Sequence, residues 1–213
     1  MLNTFEPNKK QHIFLRTHGS KIAHCGHRTG KTTMLAYEAA LHATREYPHW
    51  WSGIEFEKEK TVSILIVGDS YELIYDTIAK KIGVFIGEDL DGVPGTRTKV
   101  FDGSYGGNGY KIKFLSASLP EETIKSETEG FKPNIVFCDE VYDYETINAI
   151  RSVVDESVPI VQAFTPYEFE YCHQTPTVCI SMFDCAFIDK SCIEALMRSG
   201  NPTESNLRVF GEQ

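Results

Sequence analysis

The sequence predicts a single α/β domain layered around a mostly parallel central sheet. Strand-like and helix-like segments alternate along the 213 residues, and no repeat or low-complexity tract interrupts them. Several strand candidates are almost wholly apolar, which is typical of parallel strands covered on both faces. Hydrophobic residues make up 41% and charged residues 24% of the chain, so a disordered or collagen-like class is excluded. The length favours one domain of generous size over several.

Capping and turn signals define the first elements. Residues 21–25 form a short, moderately apolar run that stops at a glycine-containing loop, and residues 31–45 then carry apolar side chains at helical spacing. Residues 61–67 are β-branched and nearly all apolar, as a buried strand is. Ser70 is a plausible N-cap for a helix over residues 71–82.

Glycine-rich segments surround the next two strands. Residues 83–98 contain five glycines and prolines together and are predicted to be a loop. Residues 100–102 and 110–115 flank the glycine-rich residues 103–109, which predicts a β-hairpin with a long tip.

The last third of the chain continues the alternation. It predicts a strand at residues 134–138, a helix at 144–154, strands at 157–164 and 177–182, and a final helix at 188–197.

A phosphate-binding motif stands where the first strand gives way to the first long helix. Residues 24–33 read His-Cys-Gly-His-Arg-Thr-Gly-Lys-Thr-Thr, and Gly30, Lys31 and Thr32 match the end of a Walker A motif. Amides at the start of a helix bind anions, Lys31 would neutralise the β- and γ-phosphates, and Thr32 would hold Mg²⁺. A chance Gly-Lys-Thr at a helix start is the alternative.

A second motif lies about a hundred residues downstream. Residues 134–140 form an apolar run that ends in Asp139 and Glu140, as a Walker B strand does. We expect this strand next to the phosphate loop, where Asp139 would hold Mg²⁺ through water and Glu140 would deprotonate the attacking water. Two acids after a strand are common at loop starts, but with the first motif they predict a P-loop NTPase of the RecA-like (ASCE) three-layer type. Glu140 favours hydrolysis over phosphate transfer to a small acceptor.

Further segments carry a family resemblance. Residues 47–53 read Tyr-Pro-His-Trp-Trp-Ser-Gly, Gln11 precedes the phosphate loop, Arg28 lies inside it, and residues 164–166 read Phe-Thr-Pro after a strand. With both Walker motifs, these features resemble the ATPase domain of a bacteriophage terminase large subunit, the motor that packages viral DNA. The resemblance runs over almost the whole chain, and its most specific part is the Tyr-Pro-x-Trp-Trp-x-Gly pattern.

The resemblance implies a set of site residues. The implied nucleotide-binding residues are Gln11, Gly26, His27, Arg28, Thr29, Gly30, Lys31, Thr32 and Thr33, with Gln11 reading adenine. The implied catalytic residues are Glu140, Lys31 and Arg28, and the Mg²⁺ ligands are Thr32 and Asp139. Thr165 would sense the γ-phosphate, and a neighbouring subunit would supply an arginine, with Arg97 the first candidate and Arg151 the second.

Some residues depart from the family pattern or allow a simpler interpretation. Cys25 stands where the Walker A pattern has its first glycine, which has moved to Gly26, and Phe164 is bulky for the coupling motif. Arg28 could be a surface ion-pair former, and His27 a tolerated loop residue. The nuclease domain of the family is expected to be absent from residues 1–213, so no nuclease activity is expected, and about 168–213 could form a small lid or linker portion.

The implied partners are double-stranded DNA, the portal protein and the small terminase subunit. A formal charge of −9, from 21 basic and 30 acidic residues, predicts weak DNA binding by this domain alone. We expect a homo-oligomeric ring on the portal, a monomer in isolation, no membrane association, and a location at the procapsid portal in the host cytoplasm. The alternatives are a helicase-like P-loop ATPase and a nucleotide-binding assembly subunit with little hydrolysis.

Overall fold

A central sheet with helices on both faces forms the body of the protein. The computed structural model describes residues 5–90, 100–141, 143–166, 176–186, 188–199 and 209–210. Within these residues the sheet has seven strands, of which six run parallel and one, at an edge, runs antiparallel to its neighbour. No helix in this part of the chain is long and apolar enough to cross a membrane.

The elements follow one another as strand and helix along most of the chain. The strands are β1 (Lys21–Cys25), β2 (Val62–Gly68), β3 (Val100–Tyr105), β4 (Asn108–Ser116), β5 (Ile135–Asp139), β6 (Ile160–Phe164) and β7 (Val178–Ile180). The helices are α1 (Lys9–Arg16), α2 (Lys31–Thr44), α3 (Tyr71–Ile74), α4 (Lys80–Ile86), α5 (Glu121–Phe131), α6 (Tyr144–Arg151) and α7 (Lys190–Ser199). A π-helical turn, Tyr75–Ala79, joins α3 to α4, and a 3₁₀ turn, Met182–Asp184, follows β7.

The order of the strands places one strand between the two strands that lead to the predicted motifs. The sheet runs β3-β4-β2-β5-β6-β1-β7, so β6 lies between β1, which leads into the phosphate loop, and β5, which carries the acidic pair. The prediction that the acidic pair lies next to the phosphate loop does not require these two strands to be neighbours. All three are parallel, so their carboxyl ends still meet at one edge of the sheet.

Alternating side chains of the buried strands pack into two separate hydrophobic cores, one on each face of the sheet. In β2, Ile64 and Ile66 pack with α1, α2, α3 and α4, whereas Leu65 and Val67 point to the opposite face and pack with α5 and α6. Because both faces are covered, both sets of alternating positions must be apolar. This explains the continuous apolar runs that the sequence shows.

Two helices were missed at the sequence level. Helix α1 begins with a capping box, in which Asn8 accepts from the Gln11 amide and the Gln11 side chain accepts from the Asn8 amide. Helix α5 is acidic at its start and mostly exposed, and it buries little beyond Ile124 and Thr128. So few buried positions give almost no periodic signal.

Two loop predictions also need correction. The hairpin tip is short, because β3 and β4 extend toward each other and leave only Gly106 and Gly107 between them. Both glycines have positive φ, which is the type I′ geometry that suits the twist of paired strands. The helix after Ser70 continues to Ile86, into the segment that was predicted to be loop.

A buried ionic cluster joins β1 to the middle of α2. The Lys21 ammonium lies 2.8 Å from a Glu38 carboxylate oxygen, and both side chains are almost fully buried. Burial alone would raise the pKa of Glu38, but the Lys21 charge holds it below its ordinary value. His42 lies beside Glu38 and hydrogen-bonds the Tyr47 hydroxyl at 3.1 Å, and Tyr47 stacks on Trp51. The tyrosine-tryptophan motif thus packs against this cluster.

The predicted lid or linker portion is only partly described. Strand β7 lies within it and pairs with β1 as part of the central sheet. A small third core of Met182, Ile193 and Val209 follows. Residues 167–175 and 200–208 lie outside the described residues, and the division of the chain at about 168 stays a prediction.

Breaking the buried ionic cluster should destabilise the fold strongly. Lys21→Met leaves Glu38 buried without its partner, and the free energy of unfolding should fall by about 3–5 kcal/mol. Lys60→Met, which breaks the well-exposed Lys60–Glu57 pair, should change it by less than about 1 kcal/mol. Urea denaturation compares the two variants, and similar losses in both would contradict this account.

Candidate active site

The loop between β1 and α2 is closed by its own hydrogen bonds. The Gly26 amide donates to the Ile180 carbonyl of β7 at 2.8 Å, and the Thr29 hydroxyl donates back to the Gly26 carbonyl at 3.0 Å. Gly30 has φ of 81°, a left-handed conformation that favours glycine. Cys25 ends β1 with its side chain fully buried. The loop therefore arrives at α2 in a defined conformation.

The start of α2 has the properties of an anion site. Gly30 caps the helix without any side-chain hydrogen bond, and the first turn holds no acidic residue. The first amides of a helix have no intrahelical partner and carry a partial positive charge, which suits a phosphate group. The residues present thus fit a bound polyphosphate.

Lys31 is paired with Glu140 across the edge of the sheet. Its ammonium lies 2.7 Å from one Glu140 carboxylate oxygen, and the other oxygen accepts the Thr165 amide at 2.9 Å. Burial alone would lower the pKa of Lys31, but Glu140 raises it above its ordinary value. Glu140 itself has φ of 56°, an uncommon conformation for this residue type, and its amide bonds the Ala163 carbonyl. These contacts fix Glu140 beside the phosphate loop.

Asp139 and Thr32 form the second pair of the site. The Thr32 hydroxyl donates to the buried Asp139 carboxyl at 3.2 Å. Burial raises the pKa of Asp139 to about 7, although the Thr32 hydrogen bond lowers it in part. A carboxyl that resists ionisation in this position gains from a cation nearby, and a hydroxyl with a carboxylate suits Mg²⁺, which keeps several of its waters. Among the described residues, no cluster of three or more His, Cys, Asp and Glu side chains offers another metal site.

Gln11 lies against the phosphate loop. Its side-chain amide donates to the Thr29 carbonyl at 3.0 Å, and its side-chain oxygen accepts the Asn8 amide at 2.9 Å. Gln11 is buried, and a Cβ atom on Gly30 would lie 3.3 Å from its nitrogen. The structure thus shows Gln11 supporting the loop, and adenine recognition stays a prediction.

The predicted arginines occupy different surroundings. Arg28 is exposed at the turn of the phosphate loop with φ of 57°, and it forms no ion pair with another described residue. Arg97 lies outside the described residues. Arg151 bonds the Val158 carbonyl and the Ser20 hydroxyl at the amino ends of β6 and β1, opposite the site. His27 lies half-buried beside Arg28.

Thr165 directly follows β6 and contacts the site through its backbone. Its amide holds Glu140, while its buried hydroxyl has no hydrogen-bond partner among the described residues. The preceding Phe164 packs its ring 4.9 Å from His24, in the sheet rather than at the site. Its bulk is thereby accommodated, and a role for Thr165 as a sensor stays a prediction.

Sequence reasoning missed one charged neighbour of the site. Lys81 of α4 donates from its ammonium to the Thr33 hydroxyl at 3.0 Å. No motif marks Lys81, and the π-helical turn before it shifts the helical spacing that a periodicity count relies on.

Comparison with solved structures places this arrangement in a known fold. The large terminase of the thermophilic bacteriophage D6E matches with a TM-score of 0.68 at 12% identity, over 97% of this chain and 54% of that chain. The same terminase in complex with ADP matches with a TM-score of 0.65 at 13% identity, over 95% and 52%. Another crystal structure of it gives 0.62 at 11% identity, over 94% and 51%.

This chain has the fold of a large terminase. The predicted fold class, a P-loop α/β domain with a mostly parallel sheet, and the predicted resemblance at the level of the fold are confirmed. The chain spans about half the length of the terminase structures that it matches. No protein-family model and no curated protein matches the sequence.

The pKa of Asp139 predicts a pH-dependent stability. Its value is about 7 in the folded chain against 3.8 for an ordinary aspartate, so the stability linked to this group is fully present below pH 3.8, falls as pH rises from there, and is lost once pH has passed 7. Between pH 5.5 and 8 the wild type should lose about 2 kcal/mol more than Asp139→Asn. Urea unfolding with a chelator present measures both, and equal pH slopes would contradict the assignment.

Proposed function

We propose that this chain is a Mg²⁺-dependent ATPase and the motor domain of a terminase large subunit. The observation that carries the proposal is the 2.7 Å contact between Lys31 and Glu140. It sets a phosphate-loop cation and a carboxylate that can act as a base at the same end of α2. The likeness in fold to the D6E terminase, which has been solved with ADP, supports the nature of the ligand.

The proposed reaction assigns a step to each residue of the site. Lys31 and the first amides of α2 would hold the phosphates, and Thr32 with Asp139 would hold Mg²⁺. When bound, Mg²⁺ neutralises charge on the phosphate oxygens. While Lys31 is paired with Glu140, its charge is only partly available to a phosphate group. A bound phosphate therefore competes with Glu140 for Lys31. Glu140 is then available to accept a proton from the attacking water.

The proposed role in the cell is the movement of double-stranded viral DNA into a procapsid. A ring of these subunits on the portal protein, with the small terminase subunit as a further partner, would couple hydrolysis to translocation at the portal in the host cytoplasm. The charge of −9 favours weak DNA binding by the isolated domain. The fold likeness and the paired site residues support this role.

Substitution of Lys31 should impair nucleotide binding, whereas substitution of Glu140 should impair hydrolysis. Lys31→Ala removes a phosphate contact, so the affinity for ATP should fall by at least about tenfold, or 1.4 kcal/mol. Glu140→Gln keeps the size of the side chain but loses the base, so ATP should bind while turnover falls by about 10²–10⁴-fold. Calorimetry with ATP and Mg²⁺ and a phosphate-release assay measure the two effects.

A matched control separates site chemistry from stability. Lys113 pairs with Glu127 at 2.6 Å, and the exposed fractions of the two side chains, 8% and 35%, resemble those of Lys31 and Glu140, 10% and 33%. Lys113→Ala should lower stability and leave ATP affinity unchanged. An equal loss of ATP binding in all three variants would overturn the proposed roles.

The source of the catalytic arginine can be tested by concentration. An arginine donated by a neighbour is worth about 10³–10⁵ in rate. If Arg97 acts on a neighbouring subunit, ATPase activity per subunit should rise with protein concentration or with added portal protein. Mixing Glu140→Gln subunits with Arg97→Ala subunits should then restore turnover. Constant activity per subunit, no rescue on mixing, and loss of turnover in Arg28→Ala would instead assign the role to Arg28 within the same subunit.

A further inference from the structure

Lys81 is a lysine beside the phosphate loop that no motif accounts for. Its ammonium donates to the hydroxyl of Thr33, at 3.0 Å, in the first turn of α2. Among the described residues, no carboxylate lies within ion-pair distance of Lys81, whereas the adjacent Lys80 pairs with Asp76 at 2.8 Å. The Thr33 hydroxyl carries no charge, and the positive charge of Lys81 acts on the neighbouring Asp139, whose pKa it lowers in part.

The packing of α4 on α2 fixes the position of Lys81 along the axis of α2. One turn further along each helix, the rings of Phe85 and Tyr37 pack with their centroids 5.4 Å apart. Both contacts join residues that stand four apart on their own helix, so α4 runs alongside α2 in the same direction. Lys81 is therefore held at the height of the first turn of α2.

The π-helical turn Tyr75–Ala79 determines which way Lys81 points. A π-helical turn accommodates an extra residue, which rotates all following residues by about 100° relative to an uninterrupted α-helix. Lys81 comes two residues after this turn and faces α2, and Lys80 lies on the exposed side. π-helical turns are rare and are often found at functional sites.

The charges of the site give a further reason for a second lysine. Asp139 and Glu140 are two carboxylates, and Lys31, which contacts Glu140 and also interacts with Asp139, carries a single positive charge. Until Mg²⁺ is bound, these two carboxylates, when both are ionised, outweigh the single charge of Lys31 at the place where a polyphosphate has to bind. Lys81 supplies the second positive charge and lies beside Thr33, one residue beyond the hydroxyl that contacts Asp139.

We propose that Lys81 is a second phosphate-binding lysine of this site. It contacts the α- or β-phosphate of the nucleotide from the side of Thr33, while Lys31 serves the β- and γ-phosphates. The amides of a phosphate loop cradle the α- and β-phosphates, and Thr33 lies in that part of the helix. The inference rests on the proposed ATPase function, because it takes the ligand to be a nucleotide.

The test compares neighbouring lysines. Calorimetry with Mg²⁺-ATP, Mg²⁺-ADP and inorganic tripolyphosphate is carried out on the wild type, Lys81→Gln and the matched control Lys80→Gln. Lys81→Gln should weaken all three ligands by about tenfold, because each contains the phosphates contacted, and Lys80→Gln should leave them unchanged. Lys81→Arg, which retains the charge, should recover most of the affinity. Lys81→Met keeps the aliphatic stem and provides a second measurement if the glutamine variant does not fold.

The outcomes separate this inference from the proposed function. If the wild type binds and hydrolyses ATP and both Lys81→Gln and Lys81→Met bind as the wild type does, the assignment of Lys81 is wrong and the ATPase proposal stands. A loss confined to ATP would overturn the contact with the α- or β-phosphate. A wild type that binds none of the three ligands would overturn the ATPase proposal and this inference with it.

Discussion

The parallel alignment of β1, β6 and β5 is the constraint on which the site depends. Pairing in register carries the ends of these strands to one edge, where His24 lies opposite Phe164 and Asp139 lies opposite Ala163. A slip of one residue would turn every side chain to the other face of the sheet. The 2.7 Å contact between Lys31 and Glu140 joins the first residue of α2 to the residue that follows β5. The site is thus a product of strand register more than of any loop.

Helix α2 shows how polar contacts position an element that apolar packing leaves free to shift. Nearly all of its side chains are buried, so no single apolar face fixes its rotation or its position along the axis. Three charged residues do so instead. Lys31 is held by Glu140 at its start, and Glu38 is held by Lys21 near its middle. At its end the buried Arg45 donates to the Lys60 carbonyl and, at 2.8 Å, to the Gly109 carbonyl. Because buried ions cost desolvation energy, each contact tolerates little displacement.

Local patterns predicted those parts of the fold and site that local sequence determines. The glycine–lysine–threonine of the loop and the acids after a buried strand were readable, because phosphate and Mg²⁺ require those residue types. The position of β6 between β1 and β5 does not follow from any local sequence pattern, because strand order depends on contacts between residues that are distant in sequence. The orientation of Lys81 could not be predicted for another reason. The π-helical turn breaks the 3.6-residue spacing that a prediction of helix faces assumes. Helix α5 was not predicted because most of its surface is solvated, which leaves little hydrophobic periodicity in the sequence.

The substitution at the start of the phosphate loop follows from the same geometry. Cys25 is a strand residue, paired with Ile180 of β7, so its backbone is extended and can carry a side chain. The backbone leaves the strand conformation one residue later, at Gly26, whose amide makes the last hydrogen bond to β7. Burial raises the pKa of the Cys25 thiol to about 12, so the group stays neutral beside Lys31. A small neutral side chain leaves the charge balance of the site to its lysines and carboxylates.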